Sequence, residues 1–144
     1  MDFETFKAFV ASSPILWLAL AALTVALVFT EIKRLLRGYK ALVPAELTRL
    51  INREDALVID LSAATDFEKG HIAGSRNAQA SQFGPDHKLV SAAKSRPVVV
   101  VCRDGNASAG AAAKLKKAGF EQVNWLEGGI AAWRQAELPL VKGR

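Results

Sequence analysis

From Pro14 to Thr30 the sequence PILWLALAALTVALVFT holds no charged residue. The run reaches the lower edge of the roughly 17 to 25 residues that a helix needs to cross a bilayer core. It is apolar on every face and lacks the polar stripe of a helix packed on one side of a soluble domain. A membrane-spanning helix is therefore expected, and the rest of the chain has to be arranged around it. Ser12 and Ser13 offer hydroxyls to its first free N–H groups, and Pro14 suits its first turn because proline has no N–H to leave unpaired. After Thr30 and Glu31 come Lys33, Arg34, Arg37 and Lys40, a short basic cluster of the kind retained on the cytoplasmic side and drawn to anionic headgroups. This orients the chain with its N-terminus out and its bulk inside. A cleaved secretory signal is disfavoured, because the opening MDFETFK sets Asp2 and Glu4 against Lys7 where a signal would be positive. The expected organisation is a short extracytoplasmic N-terminus over 1–13, a transmembrane helix with its basic juxtamembrane segment over 14–36, and one folded domain over 37–144.

Hydrophobic residues make up 51% of the 144, an excess concentrated in the apolar run and not spread along the chain. The remainder is long enough for one modest core. The net charge of +5 comes largely from the juxtamembrane cluster, while the other charges alternate in sign, so no nucleic-acid partner is expected. A single cysteine, Cys102, excludes an intramolecular disulfide, and a cytoplasmic location would keep its thiol reduced.

After the basic cluster, strand and helix signals alternate. Pro44 and AELTRLIN form an amphipathic helix with Leu47, Leu50 and Ile51 on one face, and ALVID is a short apolar run of the buried parallel-strand type closed by Asp60. TDFEK makes a helical turn, and GHIAGSRN reads as a second strand or an extended turn. SQFGPDHKLVSAAKS gives no clear signal. RPVVVV is the central-strand candidate, β-branched and introduced by a proline. SAGAAAKLKKAGF is a helix, with Lys114, Lys116 and Lys117 at its negative end and Gly119 available as a cap. QVNWLE is a further strand, GIAAWRQ a short helix, and Leu138-Pro139 its stop. The pattern predicts an α/β fold with a mostly parallel sheet flanked by helices.

In such folds sites lie where a strand's carboxyl end enters the next helix, and Cys102 stands there. The loop Cys102-Arg103-Asp104-Gly105-Asn106-Ala107 contains residues that tolerate left-handed backbone angles and can turn successive N–H groups inward as an anion cradle. A helix beginning near Ser108 would add its positive end and stabilise a thiolate or a persulfide sulfur. The competing reading is a buried cysteine that ends a core strand as a small apolar residue. Several chemistries are excluded by what the positions hold. A cysteine phosphatase would need arginine where Ser108 stands, because a guanidinium grips two oxygens at once. Thioredoxin-type exchange would need a second cysteine at Gly105, a P-loop motif does not occur, and no Cys/His cluster supports a metal.

Three segments in order resemble the rhodanese-like family. VIDLSAATDFEKGHIAGSRNA resembles its first signature through Asp60, Asp66-Phe67, Gly70-His71-Ile72, Gly74 and Asn77. VVVVCRDGNASA resembles the active-site strand and loop through Cys102, Arg103 and Gly105, and LEGGIAAW resembles the closing signature through Gly128, Gly129 and Trp133. The likeness runs from about Val43 onward, and the membrane-anchored layout resembles a bacterial single-span subgroup, the YibN-like group. The resemblance implies a rhodanese-like domain over 37–144, cytoplasmic and tethered to the inner membrane by one span. It implies sulfur transfer from a donor, thiosulfate or a persulfide, through a persulfide on Cys102 to a thiol or protein acceptor. The amides of Arg103, Asp104, Gly105, Asn106, Ala107 and Ser108 would hold the outer sulfur, and no cofactor is required. Three departures accompany the match. Ser62 stands where the family often has arginine, and Ala107 where thiosulfate-using members usually have a basic or hydroxyl residue. Asp104 adds a negative charge, partly offset by Arg103, that opposes a dianionic donor. Ser62, Ala107 and the anchor itself motivate a second reading, a rhodanese-fold adaptor that binds another membrane protein. His71, Asp60, Gly128, Gly129 and Trp133 are expected to be structural, and Trp17 is expected near the outer membrane interface.

Overall fold

The computed structural model describes residues 2–36 and 38–144, so Arg37 of the basic cluster lies outside the described residues. The chain divides into two units, one up to residue 37 and one from Gly38 onward. The first contains two helices. Helix α1 (Phe3–Ser12) was not anticipated; Asp2 caps it by accepting the Thr5 N–H at 3.0 Å. Helix α2 (Pro14–Leu36) covers the apolar run and is long and apolar enough to cross a membrane, and none of its residues is buried by the rest of the chain. The predicted serine cap is corrected in part: the Ser12 hydroxyl belongs to α1 and donates backward to the Phe9 carbonyl at 2.7 Å. Edge-on contacts of Phe6 and Phe9 with Trp17, at centroid separations of 6.3 and 6.1 Å, join the two helices.

The second unit is built on five parallel strands: β1 (Tyr39–Leu42), β2 (Leu57–Asp60), β3 (Arg76–Asn77), β4 (Val98–Val101) and β5 (Val123–Leu126). Their order is β1-β5-β4-β2-β3, which puts the four-valine strand at the centre. Strand β1 lies within the expected domain and carries Lys40 of the basic cluster, but it was not anticipated as a strand. Its sequence, YKAL, is too short and mixed to signal a strand, and its existence depends on the ladder that β5 offers. The expected second strand shrinks to β3, and His71 instead makes an isolated antiparallel bridge to Val141. The unassigned segment after Ala78 forms turns held by the buried side chains of Phe83 and Val90.

Helices α3 (Pro44–Glu54), α4 (Ala64–Lys69), α5 (Asn106–Lys117) and α6 (Gly129–Gln135) flank the sheet. Residues of β4 alternate between two cores, as the period of two in a strand requires. Val98 and Val100 pack with Ala112, Leu115 and Phe120 on the α5 side, while Val99 and Val101 pack with Leu47, Leu50, Ile130 and Trp133 on the side of α3 and α6. All four valines are fully buried, and each such burial is worth about 1.5–3 kcal/mol relative to exposure. Cys102 continues this alternation one residue past the strand. Its side chain falls on the α5 side, over the start of that helix.

Candidate active site

The expected loop is shorter than the sequence indicates. Helix α5 begins at Asn106, so Asn106, Ala107 and Ser108 form its first turn and only Cys102 to Gly105 remain as connection. The turn is possible because Gly105 has φ +96° and no side chain. A Cβ there would stand 3.0 Å from the Gly128 nitrogen and 3.2 Å from the Trp125 ring. This bend brings the Gly105 N–H to 3.0 Å from Cys102 Sγ. The Ser108 hydroxyl lies 3.4 Å from the same sulfur and itself donates to the Gly105 carbonyl at 2.9 Å. Asp104 Oδ1 lies 3.6 Å from Sγ, so the thiol proton has two acceptors to choose between. The side chain of Cys102 is largely enclosed, with the residue 5% exposed.

Two expectations about the loop charges are corrected. Arg103 does not offset Asp104; its guanidinium pairs with Asp66 at 2.7 Å. That hydrogen bond holds the Asp66 carboxyl below the usual range and raises the Arg103 guanidinium further. Asp104 instead accepts from the Asn106 backbone N–H at 3.0 Å and side-chain amide at 3.1 Å. The backbone bond is the main reason that its carboxyl is held low, and it removes one amide from the predicted cradle.

The residues expected to be structural lie in the core or at turns, and one of them makes a contact that was not anticipated. Gly129 has φ +60°, and a Cβ on it would overlap the Cys102 carbonyl oxygen at 2.1 Å. The close approach lets the Ile130 and Ala131 N–H groups donate to the carbonyls of Cys102 and Arg103 at 2.9 and 3.2 Å. Gly129 and the two amides after it thus clamp the backbone on which the thiol rides. The sequence signal was a double glycine opening a helix, but its target was invisible without the fold. Asp60, 1% exposed, accepts the Ser62 N–H at 2.8 Å, and burial pushes its carboxyl up. Asn77 donates to the carbonyls of Asp60 and Ser62 and ties β3 to this strand end. His71 is buried, stacked on Phe67 at 3.7 Å, with Nδ1 2.8 Å from the Phe67 carbonyl. Trp133 is core and donates from Nε1 to the Pro139 carbonyl.

The model of the rhodanese-like domain matches residues 43–136. The chain belongs to the rhodanese-like family. A protein named YibN, called uncharacterized, from Escherichia coli strain K12 is 44% identical over 137 residues, covering 94% of this chain and 96% of that one. A protein named thiosulfate sulfurtransferase GlpE from Pseudoalteromonas translucida is 31% identical over 99 residues, covering 69% of this chain and 92% of that one. Among solved structures, a rhodanese-related protein from Thermoplasma volcanium superposes with a TM-score of 0.64 at 28% identity, over 73% of this chain and all of that one. The YibN likeness is longer than the α/β unit and so extends into the N-terminal helices, which the rhodanese-like match does not include. The family of this rhodanese-like chain includes sulfurtransferases, a transferase kind of function.

Proposed function

We propose that this protein is a single-pass inner-membrane sulfurtransferase, with its N-terminus outside, α2 as the anchor and a rhodanese-like domain over 37–144 in the cytoplasm. Sulfane sulfur passes through a persulfide on Cys102. The observation that carries the reading is the Gly105 N–H aimed at Cys102 Sγ from 3.0 Å, at the start of a 12-residue helix. A helix start holds partial positive charge and amides without intrahelical partners, and both favour a thiolate or a persulfide anion. The Ala107 and Ser108 amides of the first turn, which lack intrahelical partners, would receive the outer sulfur, whereas the Asn106 amide is engaged by Asp104.

The Cys102 thiolate attacks the outer sulfur of the donor and a new S–S bond forms. The donor's own bond to that sulfur breaks, and its electron pair leaves with sulfite from thiosulfate or with a thiolate from a persulfide. An acceptor thiolate then attacks the outer sulfur on Cys102 and expels the Cys102 thiolate, which closes the cycle. Neither step needs a metal or an organic cofactor. The test uses the full chain in detergent micelles, incubated with thiosulfate or a persulfide donor and followed by intact mass. A gain of one sulfur atom is expected, absent in Cys102→Ser; a wild-type chain that never gains sulfur overturns the reading.

The near-complete enclosure of the thiol favours a second reading, an adaptor that uses the rhodanese fold to bind another membrane protein. Under it, Cys102→Ser leaves the cellular role intact while deletion of Pro14–Thr30 abolishes it. The transferase reading requires the cysteine change to abolish that role.

A further inference from the structure

All five strands are parallel, so their amino ends share one end of the sheet and their carboxyl ends the other. Cys102 stands past the carboxyl end of β4. The helix that follows it, α5, runs back and delivers Lys114, Lys116 and Lys117 in its last turn to the amino end. Backbone hydrogen bonds place more cations there. The Glu121 N–H donates to the Lys94 carbonyl at 3.0 Å, the Val98 N–H to that of Gln122 at 3.0 Å, and the Leu57 N–H to that of Pro97 at 2.8 Å. Lys94 and Arg96 therefore stand beside the start of β4. A cavity of about 360 Å³ lined in part by Leu57, Arg76, Lys88 and Arg96 adds two more. The acids near these positions in the chain are Glu54, Asp55, Asp86 and Glu121, four against the seven cations named, and Asp55 is already paired with Arg96 at 3.4 Å. Lys94, Lys114 and Lys117 are exposed, and among the described residues none of them has a carboxylate within ion-pair distance.

The chain enters the sheet at this same end. Only residues 37 and 38 join the last residue of α2, Leu36, to the first of β1, Tyr39, and three Cα steps reach at most about 11 Å. Gly38 lies against the basic surface, since a Cβ on it would stand 3.3 Å from Lys116 Nζ. That reach is close to the roughly 8–10 Å over which surface charges act at ordinary salt.

We propose that the amino end of the sheet docks on the anionic lipid headgroups of the adjoining leaflet, so that Cys102 faces away from the bilayer. This rests on α2 as the anchor and goes beyond the juxtamembrane cluster, because the lysines that it uses belong to the folded domain. Each basic residue close to an anionic leaflet strengthens binding about fivefold. Guanidinium groups grip phosphate oxygens in pairs, and Arg76 and Arg96 line the cavity where a headgroup phosphate would fit. The other end of the sheet carries Asp104 beside the thiol, and the same headgroups would repel it. Both ends thus favour one orientation, in which donor and acceptor reach the thiol from solution and not from the lipid plane.

The test follows amide hydrogen exchange by mass spectrometry on the full chain in nanodiscs of phosphatidylcholine, alone or mixed with phosphatidylglycerol. Exchange over 114–122 and around Lys94 is expected to slow at least about fivefold in the anionic discs only, the worth of one basic residue at such a surface. Exchange over 102–107 is expected to be the same in both. Lys94→Gln/Lys114→Gln/Lys117→Gln is expected to erase the difference between the discs, and added salt to weaken it. Equal exchange in both discs by an inserted chain, or protection of 102–107 in place of 114–122, overturns the docking and leaves the anchor standing. If wild type does not insert, the anchor falls, and the same chain is sedimented with preformed vesicles of the two compositions. Retention by the anionic vesicles alone, weakened about a hundredfold in the triple variant, supports the surface without the anchor. Equal retention by both vesicles, or by neither, overturns it.

Discussion

Two apolar runs of this chain have opposite fates. Helix α2 is hydrophobic all round, and none of its residues is buried by protein, with Ile15 79% and Leu18 71% exposed. Strand β4 is four valines, all buried, with α5 over one face and α3 and α6 over the other. Composition does not separate them, but partners do. A central strand of an α/β sheet receives its cover from the same chain, because each crossover lays a helix on the sheet. Helix α2 is apolar on every side and meets α1 at Trp17 without being buried by it; it is long and apolar enough to cross a membrane, and a bilayer is a solvent that would fit such a surface.

That contrast can be broken by charging each run in turn. Val100→Asp places a carboxylate among fully buried neighbours with no partner, and a loss of more than about 4 kcal/mol is expected. Circular dichroism during urea titration checks it; a cooperative transition near the wild-type midpoint refutes the assignment of β4 as the core. Leu20→Arg/Leu23→Arg charges the middle of α2, where each arginine disfavours insertion by about 2.5–3.5 kcal/mol. The chain is expected to leave the membrane fraction on sedimentation while the unfolding midpoint of the α/β unit stays put. Retention in the membrane would refute α2 as the anchor.

Two smaller effects sharpen the comparison within the α/β unit. Gly129→Ala adds a Cβ onto the Cys102 carbonyl and forces a left-handed angle that costs a non-glycine residue about 1–3 kcal/mol. A lower melting temperature together with lost sulfur loading on Cys102 is expected; an unchanged loading rate would detach the glycine pair from the site. The smallest effect is expected from Asp60→Asn. Burial raises the folded carboxyl's pKa above its unfolded value, so between the two values the folded state binds more protons and stability falls as pH rises. Asparagine keeps an oxygen for the Ser62 N–H and removes that dependence. Its advantage over wild type in thermal melts should therefore grow as pH rises from below the ordinary aspartate range to neutrality. A difference that is flat with pH contradicts the burial of a charge.

The site was legible in part because its pieces are local. A β-branched run, a cysteine at its end and a glycine-bearing turn into an alanine-rich helix are all adjacent in sequence; β4 formed where they indicate and α5 began two residues early, at Asn106. Partners far apart along the chain were not legible. The Arg103–Asp66 pair joins a residue of α4 to one just past β4, with β3, β4 and the turns after Ala78 between them, and a charge pattern read along the sequence assigned Arg103 to its neighbour Asp104. Strand β1 escaped for a related reason: four residues with one buried side chain have no period to detect. Helix α1 escaped because Phe6 and Phe9 find their packing on Trp17 of the next helix.

The amino-acid sequence by itself determined the uncharged span, the alternation of strands and helices, and the position of the single thiol at a strand-to-helix turn, because hydrophobic period and turn chemistry act between near neighbours. Only the tertiary structure decided what surrounds that thiol: the Gly129 approach to the Cys102 carbonyl, the amide taken by Asp104, and the pairing of Arg103 with Asp66. Those relations depend on which elements the sheet order brings together, and distances between remote segments are set by packing and not by the residues' own preferences.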